Sequence, residues 1–297
     1  VVWAFCAFVN DQVDRPTLEV LASQGTKLVA VRATGYNNVD LEAAADLGMT
    51  VVRVAAYSPY SVAEHAVALL QSLNRKIHRA YNRTREGNFS LDGLIGVDLH
   101  GRTIGIIGTG KIGRVFGQIM QGFGCKVLGY DLYPHQEFVG EYVSLDDLLG
   151  RSHIISLHCP LTTENHHLID RAAIEKMRAD VILINTSRGG LIDSLAAIDG
   201  LKAKKIGGLG LDVYEQEASV FYQDLSDEVI QDDLLERLLS FPNVIMTGHQ
   251  AFLTQEALSD IAETTIANFD DFEAGRPLQN QVQSNKVQPK ERSATSA

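Results

Sequence analysis

Three ionisable residues each follow an apolar, β-branched run: Arg188 after VILINTS, Glu217 after GLDVYEQ and His249 after NVIMTG. Together they make a sufficient set for reducing a 2-oxo acid with a hydride from a nicotinamide. Arginine offers the planar, two-pronged donor that a carboxylate requires. Histidine can give a proton to a ketone oxygen and, in the reverse direction, take it from a hydroxyl. A carboxylate beside an imidazole favours the protonated ring and keeps the acid available near neutrality. Singly, each residue has an ordinary alternative: Arg188 as a salt-bridge partner, His249 as a satisfied histidine at a domain seam, Glu217 as one acid in an acidic stretch. Their joint position at strand ends carries the inference, because ligands of open α/β sheets bind beyond the carboxyl ends of the strands.

A second constellation supplies the hydride carrier. Gly108, Thr109, Gly110, Lys111, Ile112 and Gly113 spell G-x-G-x-x-G, a pattern that means little in isolation. Here the strand-like TIGII leads into it, the helical RVFGQIMQGF leaves it, and Asp131 closes the next strand at the spacing of a dinucleotide fingerprint. The glycines allow the tight turn and the approach of a pyrophosphate to the helix N-terminus. Asp131 would accept hydrogen bonds from ribose hydroxyls and repel a 2′-phosphate, which predicts NAD over NADP; its ordinary alternative is an exposed strand-end acid. His158, just past another strand, is placed to line the same cleft. The remaining histidines, His166 and His167 among them, read as structural or exposed, and no group of His, Cys, Asp and Glu has metal-ligand spacing along the sequence.

These residues need a scaffold, and the pattern predicts one. Short β-branched runs alternate with helical stretches, the mark of a parallel α/β sheet. Strands are predicted at KLVAVR (27–32) and TVVRV (50–54) around a helix at 38–47, followed by a long helix at 61–79 and a polar connection over 82–100. Six further strands follow from Thr103: TIGIIG, KVLGYD, HIISLHCP, VILINTS, IGGLGLDVY and NVIMTGH. The expectation is a doubly wound Rossmann domain over 56–250. A smaller flavodoxin-like α/β substrate domain is expected from 1–55 and 251–284, made discontinuous by a helix over 251–274 that returns to it. A disordered polar tail is expected over 285–297. The chain starts without Met on VVWAF, already strand-like, so a preceding segment is expected.

Composition sets bounds. At 297 residues with 45% hydrophobic content the chain can bury two cores. A net charge of -11 argues against nucleic-acid or anionic-membrane surfaces, which need clustered Lys and Arg. Cys6, Cys125 and Cys159 are odd in number and widely spaced, without a CxxC pair, which fits a reducing cytoplasm. No apolar run reaches the roughly twenty residues that span a bilayer, so a soluble protein is expected.

With GYNNVDLEAA, RVAAYSPYSVAEHAVALLQSLNRKIHRAY, GTGKIGR, SLHCPLTTEN, NTSRGGLID, GLDVYEQE and TGHQAF, the chain resembles the D-isomer-specific 2-hydroxyacid dehydrogenase family from about Phe8 to Gln279, most closely its bacterial fermentative D-lactate branch. The resemblance implies that Arg188 binds and polarises the substrate, that Glu217 pairs with the histidine, and that His249 is the acid/base. It also implies that Asp212 contacts the nicotinamide side, and that His158, Cys159, Pro160, Asn165, Thr186 and Ser187 line the cofactor. The backbone at Thr34 and Gly35 would hold the substrate carboxylate, with Tyr57 and Phe252 lining the pocket. Dimers or tetramers are usual in the family. Two points stand out: Ala55 sits where relatives often have proline, and the first strand of the family's small domain is expected ahead of Val1. Within the family, a glycerate, phosphoglycerate or hydroxyisocaproate dehydrogenase is the alternative. Outside enzymes it is an NADH-sensing corepressor-like protein, which can retain the same triad.

Overall fold

The structure, a computed structural model, describes residues 3–217 and 220–282; the expected tail at 285–297 lies outside the described residues. The chain forms two compact units, one drawn from residues up to 58 and from 252 onward, the other from 59 to 251.

The first unit holds strands β1 (Ala4–Ala7), β2 (Leu28–Val31) and β3 (Thr50–Arg53), parallel and in the order β1-β2-β3. Helix α1 (Arg15–Ser23) starts where the Asp14 carboxylate accepts from the Thr17 N–H at 3.1 Å, and α2 (Leu41–Asp46) where Asp40 does the same for Ala43 at 2.9 Å. β2 reads LVAV and is buried along its length, because both of its faces are covered. Val29 and Val31 face a core containing Leu18, Ala43 and Ala44 of the two helices. Leu28 and Ala30 face Phe269 and Phe272 of the last helix, which spans Gln255–Glu273 and is capped by Thr254.

The second unit begins with α3 (Pro59–Arg75) and α4 (Ile77–Arg85). The single helix expected over 61–79 is thus two. Lys76 between them adopts a left-handed φ of 52°. Asn74 bonds the backbone N–H and C=O of Val97, and the Lys76 ammonium bonds the Ile95 carbonyl, so the connection is pinned to the break. The rest alternates: β4 (Thr103–Ile107), α5 (Lys111–Gly122), β5 (Lys126–Tyr130), β6 (Glu141–Tyr142), α6 (Leu145–Arg151), β7 (Ile154–Leu157), α7 (Arg171–Lys176), β8 (Val181–Asn185), α8 (Ser194–Lys202), β9 (Ile206–Leu211), α9 (Asp233–Leu239) and β10 (Val244–Met246). The Gln255–Glu273 helix is then α10.

Among the described residues this sheet has seven strands, all parallel, in the order β10-β9-β8-β7-β4-β5-β6. Six were expected; β6 is a two-residue edge strand with no apolar run to announce it. The chain winds outward from β4 in both directions, so β4 and β7 are neighbours whose connections leave to opposite sides, the position at which such sheets open a crevice. Leu69, Leu70 and Leu73 of α3 with Phe116 and Met120 of α5 cover one face. Leu148, Ile174, Ala197 and Leu201 of α6, α7 and α8 cover the other. Each of the Leu, Ile, Phe and Met side chains contributes roughly 1.5–3 kcal/mol on full burial, enough to hold the loops beyond the strand ends on a rigid base. Among the described residues no helix is long and apolar enough to cross a membrane.

Candidate active site

The glycine loop lies between β4 and α5, where the sequence places it. Gly108 has a φ of 93°, and a Cβ there would sit 2.5 Å from the Cys159 N. A Cβ on Gly113 would collide with the Gly108 carbonyl oxygen, so both positions need glycine for close packing. Gly110 differs: a Cβ there would meet nothing within 4 Å. Gly110 is the N-cap of α5 and gives no side-chain cap, so the first N–H groups of the helix are left for another acceptor. This cradle fits a pyrophosphate held by backbone N–H groups and the helix dipole. Two further buried polar atoms, Thr186 Oγ1 and His158 Nδ1, lack a hydrogen-bond partner, as expected where a ligand completes the site.

Asp131 is more than a strand-end acid. Its Oδ2 accepts from the Thr109 N–H at 2.6 Å and from the Thr109 hydroxyl at 3.1 Å, and its Oδ1 accepts from the Tyr133 N–H at 2.8 Å. It therefore fixes the glycine loop to the end of β5. The Tyr142 hydroxyl meets Thr109 Oγ1 at 2.8 Å, a support that the sequence did not signal. Asn165 closes its own loop, with its amide between the Thr162 N–H and the Pro160 carbonyl. Ser187 donates to the Leu157 carbonyl across β7 and β8. His158 packs on Phe116 with ring centroids 5.0 Å apart, and burial pushes it down to about 3, while burial pushes the Cys159 thiol up to about 11. Both are neutral at working pH, so neither competes as proton donor or thiolate nucleophile.

Arg188, Glu217 and His249 are all found in this unit beyond the ends of β8, β9 and β10. His249 Nδ1 lies 2.8 Å from Glu217 Oε1, both side chains being mostly buried. The other Glu217 oxygen accepts from the Tyr214 N–H at 2.9 Å. Tyr214, buried, donates its hydroxyl to the Asp232 carboxylate that caps α9, so the turn carrying Glu217 is tied at both ends. His249 sits at a φ of 51°, an unfavourable left-handed conformation. It is held there by its N–H to the Asp212 carbonyl at 2.7 Å and by the Tyr222 hydroxyl on its own carbonyl at 3.0 Å. Its Nε2 has no hydrogen-bond partner among the described residues. The Arg188 guanidinium uses one nitrogen on the Ser187 carbonyl at 2.6 Å, and Asn185 bonds the Arg188 carbonyl, so the arginine is aimed with donors to spare.

Asp212 is completely buried, and its oxygens accept from Thr247 Oγ1 at 2.5 Å, the Gln250 N–H at 2.9 Å and the Ala251 N–H at 2.8 Å. His65 of α3 joins this network at 3.0 Å from Thr247 Oγ1. In the structure Asp212 is the clamp of the segment bearing His249. Asn185, Tyr214, His65 and Thr247 were not singled out from sequence. The clearest signal was Asn185 before Thr-Ser, an Asx-type turn at a strand end.

The remaining sequence candidates, Thr34, Gly35, Tyr57 and Phe252, belong to the first unit. The Arg53 guanidinium donates to the Thr34 carbonyl at 2.8 Å and lies over Tyr36, so this strand-end arginine shapes the Thr34-Gly35 loop from within its own unit. The Tyr57 and Phe252 rings meet at 6.2 Å, edge to face.

Comparison with known proteins follows the geometry. Residues 67–251 match the model for the D-isomer specific 2-hydroxyacid dehydrogenase, NAD binding domain. The chain is 55% identical over 280 residues to a 2-hydroxyacid dehydrogenase homolog of Haemophilus influenzae, covering 93% of this chain and 85% of that one. It is 54% identical over 282 residues to the D-lactate dehydrogenase of Escherichia coli, covering 94% and 86%. Among solved structures, the pyruvate reductase of Chlamydomonas reinhardtii superposes with a TM-score of 0.91 at 48% identity, covering 93% of this chain and 85% of that one.

Proposed function

The chain belongs to the D-isomer specific 2-hydroxyacid dehydrogenases, NAD-dependent enzymes acting on small 2-hydroxy and 2-oxo acids, and from that premise we propose that it interconverts D-lactate and pyruvate with His249 as acid/base. The observation that carries the assignment of roles is the His249–Glu217 contact at 2.8 Å, made through Nδ1 and leaving Nε2 open. Bound NADH supplies the hydride. His249 Nε2 gives its proton to the ketone oxygen, and the carboxylate on Nδ1 stabilises the protonated ring before transfer and holds its orientation. Arg188 takes the substrate carboxylate through its remaining donors. Thr34, Gly35, Tyr57 and Phe252 are the first unit's contribution to recognition in this reading. Gly108 to Gly113, Asp131, His158, Cys159, Pro160, Asn165, Thr186 and Ser187 serve the cofactor, and Asp212 keeps the His249 segment in place on its nicotinamide side.

The same reading includes a homodimer or homotetramer in the cytoplasm. Ile77, Tyr81, Phe89, Leu91 and Ile95, on α4 and the connection after it, are each more than half exposed, although this connection is pinned by Asn74 and Lys76. Ordered apolar side chains left in water suit a subunit interface. Cys6, Cys125 and Cys159 are free thiols, which suits a reducing compartment.

The test is kcat/KM with NADH for pyruvate, glyoxylate, 2-oxobutyrate, hydroxypyruvate and phosphohydroxypyruvate, with chiral analysis of the product. Pyruvate is expected to be best and D-lactate to be formed, with one methylene more or less costing about 1–3 kcal/mol of discrimination. Preference for phosphohydroxypyruvate, or L-lactate as product, contradicts the substrate assignment.

A further inference from the structure

The loops after β7, β8 and β9 bring together a second cluster that the dehydrogenase reading does not use. His166 and His167 lie between β7 and α7, and Glu215 lies between β9 and Glu217. His167 Nε2 is 2.6 Å from Glu215 Oε1, the two imidazoles lie with centroids 3.9 Å apart and planes tilted by 31°, and one donor atom from each residue falls within 4.8 Å of the others.

Consecutive side chains ordinarily diverge. Here they converge because His167 adopts a left-handed φ of 56°, a conformation that costs a non-glycine residue roughly 1–2 kcal/mol. The His167 N–H bonds the Gly190 carbonyl at 2.8 Å and holds that geometry. Gly189 makes the third segment reach the cluster. A Cβ there would collide with the Tyr214 carbonyl and the Glu215 nitrogen, so only glycine lets the β8 loop touch the peptide that carries Glu215. The outer oxygen of Glu215 accepts from the Ser194 hydroxyl at 2.9 Å, which orients the carboxylate and leaves Oε1 toward the histidines. His166 is exposed and the other two are partly exposed, so the cluster is open to solution.

Two imidazole nitrogens and one carboxylate oxygen, with a position left open, are the donor set of a three-ligand site for zinc and its neighbours. Around a tetrahedral ion with bonds of about 2.0–2.1 Å, donors lie about 3.3 Å apart. Rotation of the exposed His166 ring brings its nitrogen in from within 4.8 Å, and an ion replacing the hydrogen bond between His167 and Glu215 opens their 2.6 Å contact to that distance. We propose that His166, His167 and Glu215 form a binding site for a divalent transition-metal ion that fastens the loops after β7, β8 and β9. Whether the cluster binds metal is independent of the substrate assignment.

The experiment uses the whole chain without an affinity tag, stripped with a chelator and titrated with Co2+ and, separately, Zn2+. The site predicts one equivalent of cobalt with visible ligand-field absorption, and a rise in Tm of about 5 °C with saturating zinc. His166→Ala removes an exposed ring that rests on the His167 ring, and Glu215→Gln keeps an acceptor for Ser194. Each is expected to weaken cobalt binding at this site about 10-fold or more, and to abolish the Tm rise. Identical titrations and identical Tm shifts in wild type and His166→Ala, or no saturable equivalent in wild type, overturn the proposal.

Discussion

Glu217 places both of its carboxylate oxygens on fixed partners, the His249 ring and the Tyr214 amide. A glutamine can keep the shape of these contacts but not the charge. With Glu217→Gln the ring loses its charged partner, and kcat for pyruvate reduction should fall about 10-fold or more while NADH affinity is kept. An unchanged kcat would make Glu217 a spacer only. The placement of Arg188, Glu217 and His249 beyond strand ends was legible in the sequence because each follows a continuous apolar run. What could not be read was how they are held. The left-handed backbone of His249, the Tyr214–Asp232 anchor and the Asp212 clamp depend on partners 18 to 39 residues away, and no local pattern encodes them.

At the scale of elements, legibility followed burial. Six of the seven strands of the larger sheet are apolar on both faces and stand out as continuous runs. β6 is two residues long at the edge and has no such signature. The break at Lys76 was hidden because no Gly or Pro marks it in the sequence. The decisive bonds run from Asn74 and Lys76 to residues about twenty positions further on. α2 is shorter than expected because Asp40 caps the helix instead of lying inside it. The His166–His167–Glu215 cluster shows the same limit, since 48 residues separate His167 from Glu215 and only the strand order makes them neighbours.

For the molecule as a whole, His158 is the residue whose burial links stability to pH most strongly below neutrality. His158 is neutral when folded, with burial holding it down to about 3, and titrates near its ordinary 6.5 when unfolded. Between these values the unfolded chain binds the extra proton, so stability falls as pH falls below about 6.5, by at most about 1.4 kcal/mol per pH unit from this residue. Below about 3 both states are protonated and the slope ends. His78 and His153 are lowered in the same direction, also by burial, and remain in a His158→Gln variant. Urea midpoints from pH 7 to pH 4.5 should therefore decline less steeply for His158→Gln than for wild type; parallel declines would mean that the site hydrates or opens before His158 is charged.

In the proposed reaction one parallel sheet holds the oriented His249 imidazole beyond β10 and the glycine loop beyond β4, and His249 carries the proton. Steady-state pyruvate reduction by His249→Gln, with NADH binding followed by fluorescence titration on the same protein, tests it most directly. The expected result is a fall in kcat of about 10²-fold or more with NADH affinity nearly unchanged. Wild-type turnover in His249→Gln would contradict it.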